Sequence, residues 1–191
     1  MTTETPAPKV TRRDELVQVA LTVLERDGFA HLSVGEVARL AGIKPPSLYK
    51  QFAGKADIEV ALIAHGLDLL AGEFELCLDE TPADATYRDR LAGFMQCFRS
   101  FGLEHPQLYL LMNSRPYPTE QLGPAAEHSA ARIFWRTVAE GDTSRAAGEV
   151  VASAWAWAHG ILSLEIVGRL ESADASWALL VDTVSAQPVA R

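Results

Sequence analysis

The chain has 191 residues, 48% apolar and 22% charged, with a formal net charge of −8. That length gives one or two domains able to bury a real core, and the balance is ordinary for a globular protein. No run reaches the roughly 18 apolar residues of a membrane helix, and MTTETPAPKV, lacking an apolar stretch, does not read as a secretory leader, so the expected compartment is the cytoplasm.

Residues 1–10, rich in Thr, Pro and Ala, read as a disordered arm. Thr11 with Asp14 is a cap signal. Leu16, Val17, Ala20, Leu21 and Leu24 then fall on one face of a helix predicted from Asp14 to Asp27, which Gly28 closes. Ser33 and Glu36 make a capping-box pattern for a second helix with apolar positions Val34, Val37 and Leu40. Ala41-Gly42 ends it, and Ile43 anchors the turn. Pro45 and Pro46 open a third helix, where the first amides have no intrahelical partner to lose. Leu48 and Phe52 stand i, i+4 for the core, which turns Ser47, Tyr49 and Lys50 outward. Two short helices joined by a Gly-containing turn form a helix-turn-helix, whose ligand is duplex DNA.

Lys55 to Leu78 reads as one long helix, with Ile58, Ala61, Leu62, His65, Leu69 and Leu76 spaced for packing and Thr81-Pro82 ending it. Tyr87 to Glu104 forms the next, with Leu91, Phe94, Met95, Phe98 and Phe101 on one face. His105-Pro106 breaks the chain before a short helix from Leu108 to Met112 and a loop from Arg115 to Pro118. A helix from Thr119 to about Glu140 follows. After the Gly141-Asp142 turn, Thr143 caps a helix to about Leu170, and Asp174 to Ser185 is the last. No segment alternates with period two. The expected class is all-α, with a three-helix DNA-binding domain over 11–55 and a helical bundle for ligand binding and dimerisation over 56–191. Residues 1–55 hold eight Lys/Arg against six Asp/Glu, a charge of +2, while 56–191 hold nine against nineteen, a charge of −10. The basic end should face phosphates and the acidic end be held away from them.

Gly28-Phe29, Ser33-Val34, Gly42-Ile43, Leu48-Tyr49, Phe52 and Lys55, at these spacings between Thr11 and Leu62, resemble the DNA-binding domain of the tetracycline-repressor (TetR) family of transcription regulators. Members often carry Ser or Thr where this chain has Lys44, so the usual N-cap hydroxyl is missing here. Trp155, His159-Gly160, Leu164-Glu165 and Gly168 resemble the C-terminal domain of the branch named for its Trp-His-Gly motif. The resemblance implies a homodimer, a palindromic double-stranded operator, a small-molecule effector and no catalytic role. The residues expected at DNA are Lys44, Pro46, Ser47, Tyr49, Lys50 and Lys55 in or beside the recognition helix. Ser33 joins them at a helix N-terminus suited to a phosphate, and Arg12 and Arg13 on a flexible arm.

In the C-terminal half, Gly148, Ala152, Ala156, Gly160 and Ser163 form a small-residue ridge. An interior Gly costs roughly 1 kcal/mol against Ala, so Gly160 suggests close approach of another backbone, within the subunit or across a two-fold axis. The expected interface joins the helices at about 119–140 and 143–170. His159 reads either as a hydrogen-bonded core residue or as a ligand contact. Met95, Phe98, Met112, Trp155 and Leu162 read either as core or, with His159, as the lining of an apolar effector site. No basic residue falls inside these apolar faces, which argues for an apolar, neutral or cationic effector. Cys77 and Cys97 have no metal-ligand spacing, and neither metal nor cofactor is expected. The function expected is a ligand-responsive repressor. A partner-binding module and a small all-α enzyme stand as the other readings, although no HExxH, GxSxG or phosphate loop is present.

Overall fold

The computed structural model describes residues 10–114, 126–140 and 142–187. Among them the chain forms nine helices and no strand. They are α1 (Arg12–Asp27), α2 (Val34–Leu40), α3 (Pro45–Leu48), α4 (Lys55–Glu80), α5 (Tyr87–Glu104), α6 (Pro106–Asn113), α7 (Ala126–Ala139), α8 (Arg145–Ile166) and α9 (Ala173–Ser185). None is long and apolar enough to cross a membrane. The predicted arm, apart from Val10, and the loop from Arg115 to Pro118 lie outside the described residues. So do positions 119–125 of the helix predicted from Thr119. Two units divide the chain, a head (Met1–Leu62) and a body (Ile63–Arg191). The division falls within α4, beyond the expected boundary at 55/56, because Ile58 and Leu62 are fully buried in the head.

In the head, α1 starts on a reciprocal capping box, Thr11 accepting from the Asp14 amide while Asp14 accepts from Thr11. At α2 the expected box is only half made. Ser33 Oγ accepts from the Glu36 amide at 3.2 Å, but the Glu36 carboxylate turns to Arg39 and Arg26 instead. Leu40, expected to pack, is 36% exposed, and Ala38 takes its place beside Val37 in the core. Val23 likewise displaces Leu21, which is half-buried. Gly28 and Gly42 adopt positive φ at the ends of α1 and α2, which explains why glycine closes both.

In the body, α4 packs through Leu67, Leu70 and Phe74. Leu76 is 59% exposed and Leu69 half-buried, so the buried stripe is rotated from the one expected. Leu sits on both sides of this helix, and periodicity alone cannot choose between them. The predicted face of α5 is buried as expected, from Leu91 to Phe101. Ser144, and not Thr143, caps α8, its Oγ accepting from the Ala147 amide at 3.2 Å. The helix ends at Ile166, short of Leu170, because Gly168 takes φ 68° while the Arg169 amide bonds back to Leu164 at 2.8 Å. Aromatic rings fill the interior. Phe98 lies 5.8 Å from Tyr109 and 5.5 Å from Trp155, and Phe134 meets Trp155 edge-on at 5.3 Å. One charged network ties three helices: Arg99 of α5 donates to Glu165 of α8 at 2.6 Å and reaches Asp174 of α9 at 2.7 Å. Trp177 donates to the other Glu165 oxygen at 3.0 Å.

The contact of α5 with α8 is tightest at Gly102, where an added Cβ would stand 2.5 Å from Leu162 Cδ2 and 2.9 Å from its Cγ. Leu162 is fully buried and has nowhere to turn. Gly102→Ala should therefore destabilise the body by about 1–3 kcal/mol, despite the roughly 1 kcal/mol that Ala gains in a helix. Thermal unfolding checks this, and a raised melting temperature would contradict the packing described.

Candidate nucleic-acid interface and body cavity

The segment predicted to read DNA is a single turn of helix. Lys44 takes the N-cap position of α3 without a side-chain cap bond, Pro45 and Pro46 fill the first turn, and Tyr49 closes it in a right-handed conformation. Leu48 and Phe52 are 0% and 1% exposed, whereas Lys44, Pro46, Ser47, Tyr49 and Lys50 all face water. Tyr49 and Lys50 stand on the turn after α3 and not within a helix.

The loop that carries them is clamped from α1. Arg13 donates to the Gln51 carbonyl and to Asp57 Oδ1 at 2.7 Å, with its guanidinium 4.3 Å from the Phe52 ring centre. Asp57 also accepts from the Ala53 amide at 3.0 Å. The Arg13 hydrogen bond, with smaller help from that amide, holds the Asp57 carboxyl below the usual carboxylate range. Arg13 is therefore no part of a flexible arm. Both it and Arg12 lie in the first turn of α1, and Arg12 pairs with Glu15 at 2.6 Å. The cap signal at Thr11 already marked where that helix begins.

Three further head cations are also occupied. Arg26 pairs with Asp27 and Glu36, and Arg39 with Glu36. Lys55 donates to the Phe29 carbonyl at 3.1 Å and lies 4.2 Å from that ring's centre, so its charge is turned toward the loop between α1 and α2. Ser33 is exposed, its Oγ already serving the Glu36 amide. Among the described cations of the head, Lys44 and Lys50 alone have no partner within the chain.

The body contains a cavity of about 340 Å³. Leu70 and Phe74 of α4, Met112 of α6, Phe134 of α7 and Trp155 of α8 are among its walls, and among the described residues no lining side chain is charged. Tyr109, Asn113, Trp135 and Trp155 are the lining residues whose side chains carry polar atoms. Of the six residues expected at an effector site, Met112 and Trp155 line this space. Phe98 is wholly buried behind it, against Tyr109, Trp155 and Phe134. Leu162 is packed on Gly102, and Met95 lies in a separate shallow groove with Trp177. His159 stands one side chain back: its Nδ1 hydrogen-bonds the Tyr109 hydroxyl at 2.8 Å, and its ring stacks near Trp155. Burial lowers the His159 pKa from its ordinary 6.5, so the ring is neutral at neutral pH. Sequence reasoning missed Leu67, Leu70 and Phe74, whose spacing does not stand out on a helix apolar on several faces. It also missed Phe134 and Trp135, which nothing in the sequence marked beyond their being aromatic.

Residues 16–62 match the family described as "Bacterial regulatory proteins, tetR family", and residues 91–184 match "Tetracyclin repressor-like, C-terminal domain". The HTH-type transcriptional repressor KstR2 of Mycolicibacterium smegmatis is 32% identical over 111 residues, covering 58% of this chain and 53% of that one. The chain thus spans about half the length of that curated relative. A Rhodococcus sp. RHA1 protein of unknown function shares the fold with a TM-score of 0.77 at 27% identity, over 95% of this chain and 97% of its own. BioQ, solved with its double-stranded DNA operator, shares it with a TM-score of 0.64 at 19% identity, over 93% of this chain and 100% of that one, a likeness of fold alone.

The buried imidazole makes a pH prediction. Unfolded His159 titrates near 6.5 and folded His159 below it. Above that pH both states are neutral and nothing is lost. As pH falls through 6.5 the unfolded chain takes up a proton that the folded one refuses, so stability declines. Melting temperatures at about pH 7.5 and about pH 5.5 should differ less for His159→Gln than for the natural chain. Equal differences would sink the assignment.

Proposed function

Because the chain belongs to the tetracycline-repressor (TetR) family of transcription regulators, we propose that it is a repressor which grips a palindromic operator as a homodimer and releases it when an uncharged apolar molecule fills the body cavity. One observation carries the DNA side of this reading. The unpartnered cations of the head, Lys44 and Lys50, flank the exposed Ser47 and Tyr49 on a turn whose inner face is anchored by Leu48 and Phe52. Free positive charge beside a polar, rigidly held edge is what phosphates and base edges require. Tyr49 is assigned to the backbone and Lys50 to base edges or phosphate. Ser33, Pro46 and Arg12 are assigned supporting contacts. Lys55 and Arg13 act first through the head's own structure, and any DNA contact they make is secondary.

The dimer seam we propose differs from the one expected. On α7, Ala130, Phe134 and Trp135 turn to the cavity. Trp135 is also 38% exposed, and Ala152 of α8 shares the cavity lining; beyond them Ala156 and Leu164 of α8, Val167 just past it and Leu179 of α9 are exposed, the last three at 44%, 53% and 57%. Apart from its chain neighbours and its own helix backbone, a Cβ at Gly160 would meet no atom of the described residues within 4 Å. The close approach sought for that glycine is therefore absent among them, and a second copy of α8 and α9 is the proposed neighbour. Isologous packing of this pair on itself satisfies two-fold symmetry.

The effector reading rests on the cavity walls. A charged ligand would be desolvated there without a counter-ion, whereas an apolar one of drug-like or smaller size suits both the volume and the aromatic lining. Because α4 contributes Leu70 and Phe74 to the cavity and Ile58 and Leu62 to the head core, one helix serves both binding events. Effector and DNA then oppose one another through a coupling free energy.

Binding to duplex DNA should weaken steeply with salt, by about 0.9 in log–log slope for each phosphate neutralised. Lys50→Ala and Tyr49→Ala should each weaken operator binding by about 1–3 kcal/mol without loss of helicity. Unchanged affinity in both variants would refute the assigned edge. Light scattering should give a dimer, and Gly160→Leu a shift toward monomer with helicity kept; a Gly160→Leu chain that stays dimeric removes Gly160 from the seam. In a melting screen, neutral apolar compounds should stabilise the protein. A screen in which only anionic thioesters did so would overturn the reading of the cavity.

A further inference from the structure

Tyr109 of α6 lines the body cavity, and among the described lining residues it is the one with a polar side chain that is wholly buried. Asn113, Trp135 and Trp155 carry the other polar side-chain atoms of the wall, and all three are exposed, where water can serve them. Asn113 also spends an amide N–H on the Tyr109 carbonyl at 2.9 Å. The Tyr109 hydroxyl and His159 Nδ1 stand 2.8 Å apart, and the direction of that bond follows from the acidity of the two groups. A phenol holds its proton less tightly than a neutral imidazole N–H does, and the bare ring nitrogen is the better acceptor. His159 is neutral, since burial lowers its pKa, and burial likewise keeps Tyr109 protonated. Tyr109 therefore donates to Nδ1, and the imidazole proton lies on Nε2, beside Ser163 Oγ at 3.5 Å.

We propose, on the reading of this cavity as an effector site, that Tyr109 Oη is an acceptor-only contact at its buried end, which selects apolar ligands that carry a hydroxyl. The single hydroxyl proton of Tyr109 is committed to His159, while its oxygen keeps acceptor capacity. A ligand hydroxyl placed there donates to Oη. A carbonyl or ether oxygen at the same place sets lone pairs against lone pairs. A hydrocarbon makes no bond to Oη, but the bond from Tyr109 to His159 remains, so hydrocarbons are admitted without a stranded donor. His159 is not part of the wall. It is a positioning residue, which fixes the direction of the Tyr109 proton without touching the ligand. Its own ring lies nearly parallel to that of Trp155, with 12° between the planes and 6.4 Å between the centres.

The test measures dissociation constants of naphthalene, 1-naphthol and the methyl ether of that naphthol for the full-length protein, by isothermal titration calorimetry at neutral pH. The three share one apolar frame, and only the naphthol has a proton to donate. It should bind the natural chain about 3- to 10-fold tighter than either of the others, the contribution of one neutral hydrogen bond. Tyr109→Phe should bring the three affinities together. In His159→Phe the Tyr109 proton is freed to turn to the cavity, so the ether should gain on the naphthol. A merely structural role for His159 would weaken all three alike. Equal affinities for the natural chain would overturn the acceptor contact and leave the cavity standing as a site for apolar molecules. Binding of none of the three would sink both. An ether held more tightly than the naphthol by the natural chain would show Tyr109 donating into the cavity, the opposite of what is proposed. The series on the natural chain decides the matter even if a variant fails to fold.

Discussion

The burial of Leu48 and Phe52 is the constraint on which the head depends. A helix of four residues cannot hold itself, since the cost of nucleation is recovered only over several further turns. Two features replace length. Pro45 and Pro46 pre-set the first turn, and Leu48 and Phe52 together bury two large side chains, at about 1.5–3 kcal/mol each. With those two pointing inward, Ser47 on the helix and Tyr49 and Lys50 on the turn after it are left facing water. The Arg13 clamp adds register and little energy. Arg13 and Asp57 remain a third or more open to water, where such a pair contributes about 1 kcal/mol or less. Its importance lies in tying the loop after α3 to the start of both α1 and α4.

The body follows a different logic. Its interior is built from rings, and rings pack at angles that leave gaps between them. Phe74, Phe134 and Trp155 meet around such a gap. The polar groups beside it are satisfied locally, Tyr109 by His159 and Asn113 by the Tyr109 carbonyl at 2.9 Å. The Arg99–Glu165–Asp174 network, by contrast, sits at the far junction of α5, α8 and α9, where removing one partner would strand a largely buried charge.

Much of this was legible in the sequence, for identifiable reasons. Tyr87–Glu104 was read with its full bounds, and its five apolar positions are all buried, whereas the starts of α6 and α8 were misplaced by one or two residues. The glycine stops at Gly28 and Gly42 were legible, and the one at Gly168 was not. The end of α8 is decided by Gly168 at positive φ, and a Gly two residues past the last helical position looks in sequence like one more small residue on the ridge. Side-chain direction was legible where apolar residues were sparse, at Leu48 and Phe52, and illegible where they were dense, along α4. The cavity shows the same limit. Met112 and Trp155, which line it, stood out in sequence because they are large and distinctive, while Leu70 and Phe74 were hidden in a helix apolar on several faces. His159 was singled out correctly as special, but its partner turned out to be the Tyr109 hydroxyl, a contact between residues 50 apart that no periodicity encodes.

The lack of a charged side chain among the described residues of the cavity wall has a consequence for how the protein behaves in changing ionic strength. Attraction to a polyanion is a counter-ion effect and fades as salt rises. Transfer of an apolar solute into a dry, neutral pocket has no such dependence and strengthens slightly with salts that are excluded from protein surfaces. The chain's two recognition chemistries therefore respond to the same variable in opposite senses. Under the proposed function, a rise in salt would weaken the grip on DNA while leaving the hold on an apolar guest intact, so salt and effector would act in the same direction without sharing a site.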